Sequence, residues 1–122
     1  MSRTFLFTVI FLAGCSSTSE YELSPSDPQV LRAKYCHESD RELAIRAAPI
    51  FPRQFLDTGL TVGWVLTNFD ISPDGEVTNI KIIDSSPRGY LEKAAVDAVS
   101  KFRYVPSTTS SNECNLFTWQ RE

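Results

Sequence analysis

The chain is poor in reactive side chains, with one histidine, three cysteines and no basic run threaded with aromatics, and each shortage removes a class of function. General acid–base and nucleophilic chemistry needs partners within reach, most often histidine, cysteine or paired carboxylates. The carboxylates here fall mainly on turns and polar faces, so no catalytic constellation assembles, no enzyme is expected and no cofactor is implied. Twelve basic residues stand against 15 acidic ones, a formal charge of −3. That balance leaves no electrostatic footprint for nucleic acid. No apolar run is long enough to cross a bilayer as a helix. The 122 residues bound one domain plus short extras.

What is present begins at the N-terminus. Arg3 is followed by ten uncharged residues, Thr4 to Ala13 (TFLFTVIFLA), the length of a signal-peptide apolar region. The run passes into Leu12-Ala13-Gly14-Cys15, and "SSTSE" follows. LAGC resembles the bacterial lipobox, in which the cysteine is acylated and becomes the mature N-terminus. The alternative is an ordinary cleaved signal with an incidental cysteine. On the lipid reading residues 1–14 are removed, Cys15 carries the acyl (palmitate-type) chains, and several chains hold a membrane far better than one. Loss of Arg3 makes the formal charge one unit more negative. Ser16 stands where an Asp would retain a lipoprotein at the inner membrane, so the resemblance implies the outer membrane.

With Cys15 assigned to lipid, Cys36 and Cys114 remain. In the oxidising compartment of an exported chain two remaining thiols pair, and closing a loop of that span stabilises by ~4.5 kcal/mol on the chain-entropy estimate. The alternative is a metal site from Cys36, His37, Glu38 and Asp40. It lacks the paired ligand spacing of zinc sites, so no metal is expected.

Four segments follow along the chain: a signal peptide (1–14), the acylated cysteine with a Ser-rich tether (15–26), a short helix and extended arm (27–48), and the main domain (49–122). The tether from Ser16 to Ser26 reaches at most ~40 Å. Asp27-Pro28 reads as an N-cap with proline at the first helical position, opening a helix that runs to about Tyr35. "ELAIRAA" alternates, and Pro49 and Pro52 hold the following chain extended. Pro52 then opens a short helix, PRQFLD, that Gly59 ends. Val65, Thr67, Phe69 and Ile71 share one face of a strand. Ser72-Pro73-Asp74-Gly75 suits a type I turn with a glycine bulge. The return strand is apolar at Val77, then at Ile80 and Ile82, and this change of phase predicts a bulge near Thr78-Asn79. Asp70, Ser72, Asp74 and Gly75 faintly mimic a calcium loop, but Lys81 falls where that loop needs a glutamate. A helix is expected from Tyr90 to about Phe102, with Leu91, Ala94, Ala95, Ala98, Val99 and Phe102 as its apolar stripe. "STTSSN" reads as a loop, and Cys114 to Gln120 (CNLFTWQ) alternates as a last strand.

The stretch from Pro49 to Pro106 resembles the TonB C-terminal domain family. Its marks are Phe51-Pro52 near the start, Gly63 before the first strand, Asp74-Gly75 in the hairpin, and Ala98-Val99 ahead of Phe102-Arg103-Tyr104 and Pro106. The resemblance implies an α+β fold: a three-stranded antiparallel sheet in strand–strand–helix–strand order, one face covered by the helix. It also implies a protein partner, an extended peptide of an outer-membrane receptor in TonB-dependent transport, added as a strand to the last strand's open edge. The partner-binding residues on that reading are Asn115, Leu116, Phe117, Thr118, Trp119 and Gln120. Phe117 and Trp119 share a face; they either clamp the peptide or cap the core. Energy-transducing family members carry an inner-membrane helix and a long Pro-rich spacer, whereas the seven prolines here are scattered. The expected place is the periplasmic face of the envelope, lipid-anchored at the outer membrane. A scaffold for other envelope proteins is the alternative role.

Overall fold

The structure, a computed structural model, describes residues 22–37 and 40–121; the signal segment, Cys15 and the first part of the tether lie outside the described residues. Three strands form the main sheet: β2 (Val62–Ile71), β3 (Val77–Ser86) and β5 (Ser110–Gln120), with β2 in the centre and antiparallel to both neighbours. Helix α3 (Glu92–Ser100) covers one face. Two shorter helices, α1 (Pro28–Tyr35) and α2 (Arg53–Asp57), precede the sheet in sequence. A small ribbon joins β1 (Leu43–Ile45) to β4 (Arg103–Tyr104).

Local chemistry accounts for most of these elements. The Asp27 carboxylate accepts from the Gln29 amide at 2.8 Å, with Pro28 at the first helical position, so α1 starts where both residues favour it. In the β2–β3 hairpin the Gly75 amide donates to the Ser72 carbonyl at 2.9 Å, and Ser72 N–H donates to the Glu76 carbonyl at 2.9 Å. Gly75 has φ +89°, and a Cβ there would sit 1.9 Å from the Tyr104 carbonyl oxygen. Only glycine fits. The phase change in β3 is a register shift opposite Asn68 and Asp70, with Asn79 at φ 52°. The Asp70 carboxylate holds this bulge by accepting from the Asn79 side-chain amide at 2.9 Å. A second shift falls opposite Leu66 and Thr67.

The core lies between the sheet and α3. Val65, Phe69 and Ile71 of β2 meet Leu91, Ala95 and Val99, all without solvent exposure. Each large apolar side chain so buried contributes roughly 1.5–3 kcal/mol. The apolar stripe expected from Leu91 to Phe102 is buried throughout. The helix itself is shorter than that stripe: Leu91 is its N-cap and Lys101 its C-cap. With no side-chain cap at Leu91, the Glu92 carboxylate turns back to accept from the Gly89 amide at 2.7 Å and from the Ser85 hydroxyl. At the far end the Arg103 guanidinium donates to the carbonyls of Ser100 and Phe102.

Three features were not foreseen. Residues Ser110 to Asn112 belong to β5 and not to a loop, because Ser110 pairs with Ile71 at the far end of β2. Leu43 pairs with Tyr104, so the extended arm is built into the domain. Residues 22–36 cross the sheet face opposite α3 as a strap. At the β3 side Glu22 bridges Arg88, and the Ser24 hydroxyl donates to Asp84 at 2.5 Å. Helix α1 then lies against β2 and β5, and Cys36 is disulfide-bonded to Cys114 with Cα atoms 5.6 Å apart. Beneath this side of the sheet Leu66 is fully buried outside the main core.

Candidate functional site

Strand β5 forms one edge of the sheet. Its pairing to β2 runs without a break from Val62↔Gln120 to Phe69↔Glu113. The Arg121 amide donates to the Thr61 carbonyl at 2.8 Å, which fixes the phase of the ladder. Backbone groups alternate sides along a strand, so those of Glu113, Asn115, Phe117 and Trp119 face β2, and those of Cys114, Leu116, Thr118 and Gln120 point outward. Two further contacts agree with that phase. The buried Thr67 hydroxyl donates to the inward Asn115 carbonyl at 3.0 Å. On the outer side, the His37 amide donates to the Asn112 carbonyl at 2.8 Å, where the strap meets the strand.

The two sheet edges are guarded differently. Edge strands are usually blunted by bulges, charges or cover. β3 carries two register shifts, a left-handed Asn79 and the exposed Lys81. β5 carries no bulge and no charged residue from Cys114 to Gln120. Among the described residues its outer edge from Cys114 to Gln120 is open to a second backbone.

Side chains sort by face. Phe117 and Trp119 are 4% and 2% exposed and belong to the core, where Phe117 packs edge-on between Phe102 and Trp119 with centroids 5.9 Å apart on each side. The Trp119 Nε1–H donates to the Ile50 carbonyl at 2.8 Å. Neither ring is placed to clamp a visiting peptide. Thr118 and Gln120 are exposed on the opposite face, Leu116 is half-buried there, and Asn115 is half-buried on the core side. Of the six residues expected to bind a partner, the structure presents Leu116, Thr118 and Gln120 through outward backbone groups. It withdraws the two aromatic rings into the core.

Toward Cys114 the edge opens into a cleft of about 800 Å³ between α1 and the segment 41–46, with Tyr104, Glu113 and Asn115 at its base. Burial, reinforced by the Glu113 carboxylate, raises the Tyr104 phenol above its ordinary 10.0 against the pull of Arg46 and Arg41. Sequence reasoning missed the cleft because its walls come from separate parts of the chain. Cys36, one arm of the supposed metal cluster, is consumed by the disulfide. Among the described residues no group of three metal-ligating side chains assembles, and no helix is long and apolar enough to cross a membrane.

The geometry defines a class: a small α+β module that buries one sheet face under a helix and, among the described residues, leaves the outer edge of its last strand open from Cys114 to Gln120. Residues 47–116, more than half of the chain, match the family described as Gram-negative bacterial TonB protein C-terminal, and the chain belongs to that family. It is 35% identical over 49 residues to protein TonB of Escherichia coli (strain K12), covering 40% of this chain and 20% of that protein. It is 32% identical over 59 residues to protein TonB of Yersinia enterocolitica, covering 48% and 23%. The matched stretch thus spans about a fifth of those relatives. Its fold is similar to the solution structure of the Pseudomonas aeruginosa TonB C-terminal domain, with TM-score 0.60, 23% identity, and coverage of 70% of this chain and 91% of that one. It is also similar to the TonB2 protein of Vibrio anguillarum, with TM-score 0.54, 21% identity, and coverage of 70% and 88%.

Proposed function

We propose that this chain is a lipid-anchored, protein-binding module of the cell envelope that captures an extended segment of an outer-membrane partner in TonB-dependent transport. Capture is by strand addition to the outer edge of β5. The observation that carries the reading is that edge itself: outward backbone groups at Cys114, Leu116, Thr118 and Gln120 on a stretch of β5, Cys114 to Gln120, with neither bulge nor charge. A visiting strand gains affinity from those backbone bonds and specificity from alternate side chains. Family membership supports an envelope setting and a protein partner. The LAGC sequence supports a lipid on Cys15 and attachment at the periplasmic face of the outer membrane. Binding, not catalysis, is the role.

Thr118→Pro tests the reading. Proline deletes one outward amide on an edge strand, where the fold tolerates it. Capture of receptors from solubilised outer membranes should fall at least about tenfold, the scale of one lost hydrogen bond plus a disturbed neighbour. Thr118→Ala should capture normally. Full capture by the proline variant rules out strand addition at this edge. For the anchor, Cys15→Ser should abolish fatty-acid labelling, and persistent label rules out acylation at that residue.

A further inference from the structure

We propose that the cleft at the Cys114 end of the β5 edge selects its partner by charge, taking an acidic stretch at one end of the captured strand. This rests on the strand-addition reading and adds the chemistry of the occupant. Four cationic or basic side chains line the cleft: Arg32 from α1, His37 just beyond it, and Arg41 and Arg46 flanking β1. All four precede residue 47, where the family match begins. The feature therefore belongs to the strap and arm that this chain adds to the shared domain.

The balance of charge decides the sign. Among the described lining residues three guanidinium groups meet one carboxylate, Glu113, which is 5% exposed and accepts from the Ser110 hydroxyl. That described lining is net positive on a chain whose formal charge is −3. Arg41 is held in place by donating to the carbonyls of Thr108 and Val105. Arg46 lies over the Phe102 ring with its guanidinium carbon 5.7 Å from the centroid. Two of the three arginines are thus pre-positioned, which lowers the ordering cost of binding. The negative charge of the chain as a whole disfavours an extended polyanion such as nucleic acid. A single peptide strand with local acidity suits the site.

Register points the same way. The His37 amide already uses the Asn112 carbonyl, so the strap closes the edge there. The first outward backbone group left for a visitor is at Cys114, which itself lines the cleft. A strand seated from Cys114 to Gln120 places one end at the cleft that Arg32 and Arg46 line. Complementary charge at that end raises the association rate and fixes register.

The experiment uses the mature chain, disulfide intact, and fluorescent peptides with an alternating Val/Thr body that differ only in a terminal Glu run or Gln run, at either end. The Glu peptide in one orientation should bind about tenfold tighter at low salt, the scale of two partly exposed ion pairs, and the preference should shrink as salt rises. Arg32→Gln with Arg46→Gln should bring the two peptides to parity while Thr118→Pro weakens both. Equal binding of both peptides to the unaltered chain, still lost in Thr118→Pro, overturns the acidic selection and leaves strand addition standing. A Glu preference untouched by Thr118→Pro keeps the charge reading of the cleft and overturns strand addition. No binding of either peptide overturns both.

Discussion

The indole N–H of Trp119 donates to the Ile50 carbonyl at 2.8 Å, tying the end of β5 to the segment that leads into α2. The ring is 2% exposed and packed on Phe117. Trp119→Ala should therefore cost about 3–5 kcal/mol of stability, as large-to-small core changes do. Trp119→Phe should cost about 1–3 kcal/mol, since it leaves the Ile50 carbonyl without its donor. Thermal and urea unfolding measure both. If Trp119→Ala melts like the parent but binds poorly, the ring is a contact and not core.

The Cys36–Cys114 bond spans 78 residues in sequence. Removing such a cross-link costs about 2–5 kcal/mol. Cys36→Ser with Cys114→Ser should lower the melting temperature, and thiol reagents should label the parent only after reduction. Labelling of the unreduced, folded chain contradicts the bond.

Gly75→Ala places a methyl group against the Tyr104 carbonyl at a positive φ. The hairpin must open or β4 must move, at a cost of about 1–3 kcal/mol. Gly59 also has positive φ but no atom within 4 Å of an added Cβ. Gly59→Ala should then cost less than Gly75→Ala in parallel unfolding curves. The reverse order removes the contact argument.

Asp84 anchors the strap at its β3 end. Burial pushes its carboxyl up, but hydrogen bonds from Arg88, Ser24 and the Ser85 amide outweigh that and hold it below the ordinary 3.8. A carboxylate stabilised in the fold contributes fully above its unfolded value and loses that contribution as pH falls through the lower folded one. The parent should thus be more stable than Asp84→Asn at neutral pH, with the gap closing as pH drops below about 3.8. A gap independent of pH points to packing in place of charge.

How much of this was legible in the sequence depended on range. Asp27-Pro28, Ser72 to Gly75 and the stripe from Leu91 to Phe102 act within a few residues, and each formed where local chemistry placed it. The bulge at Asn79 was legible for the same reason, as a break in strand phase between Val77 and Ile80. Ser110 to Asn112 read as loop because Ser and Asn have low strand propensity, and only pairing with β2 overrides it. Alternation placed Phe117 and Trp119 on one face, but alternation cannot say which face α3 covers. The strap and the basic cleft depend on residues far apart in sequence, such as Arg32 and Glu113. No local pattern reports such a meeting.

The disulfide also reroutes mechanical load. A pull between residue 22 and the end of β5 travels along 22–36, through Cys36–Cys114, and out along 114–120. The 78-residue separation between the two cysteines lies off that line. If a strand is captured as proposed, tension on it is applied along β5 and reaches residue 22 through a covalent shortcut, so hairpin and helix can open without lengthening the connection. Stretched between those two points, the chain should show a contour length shorter by nearly the whole cross-linked span, until a reductant is added.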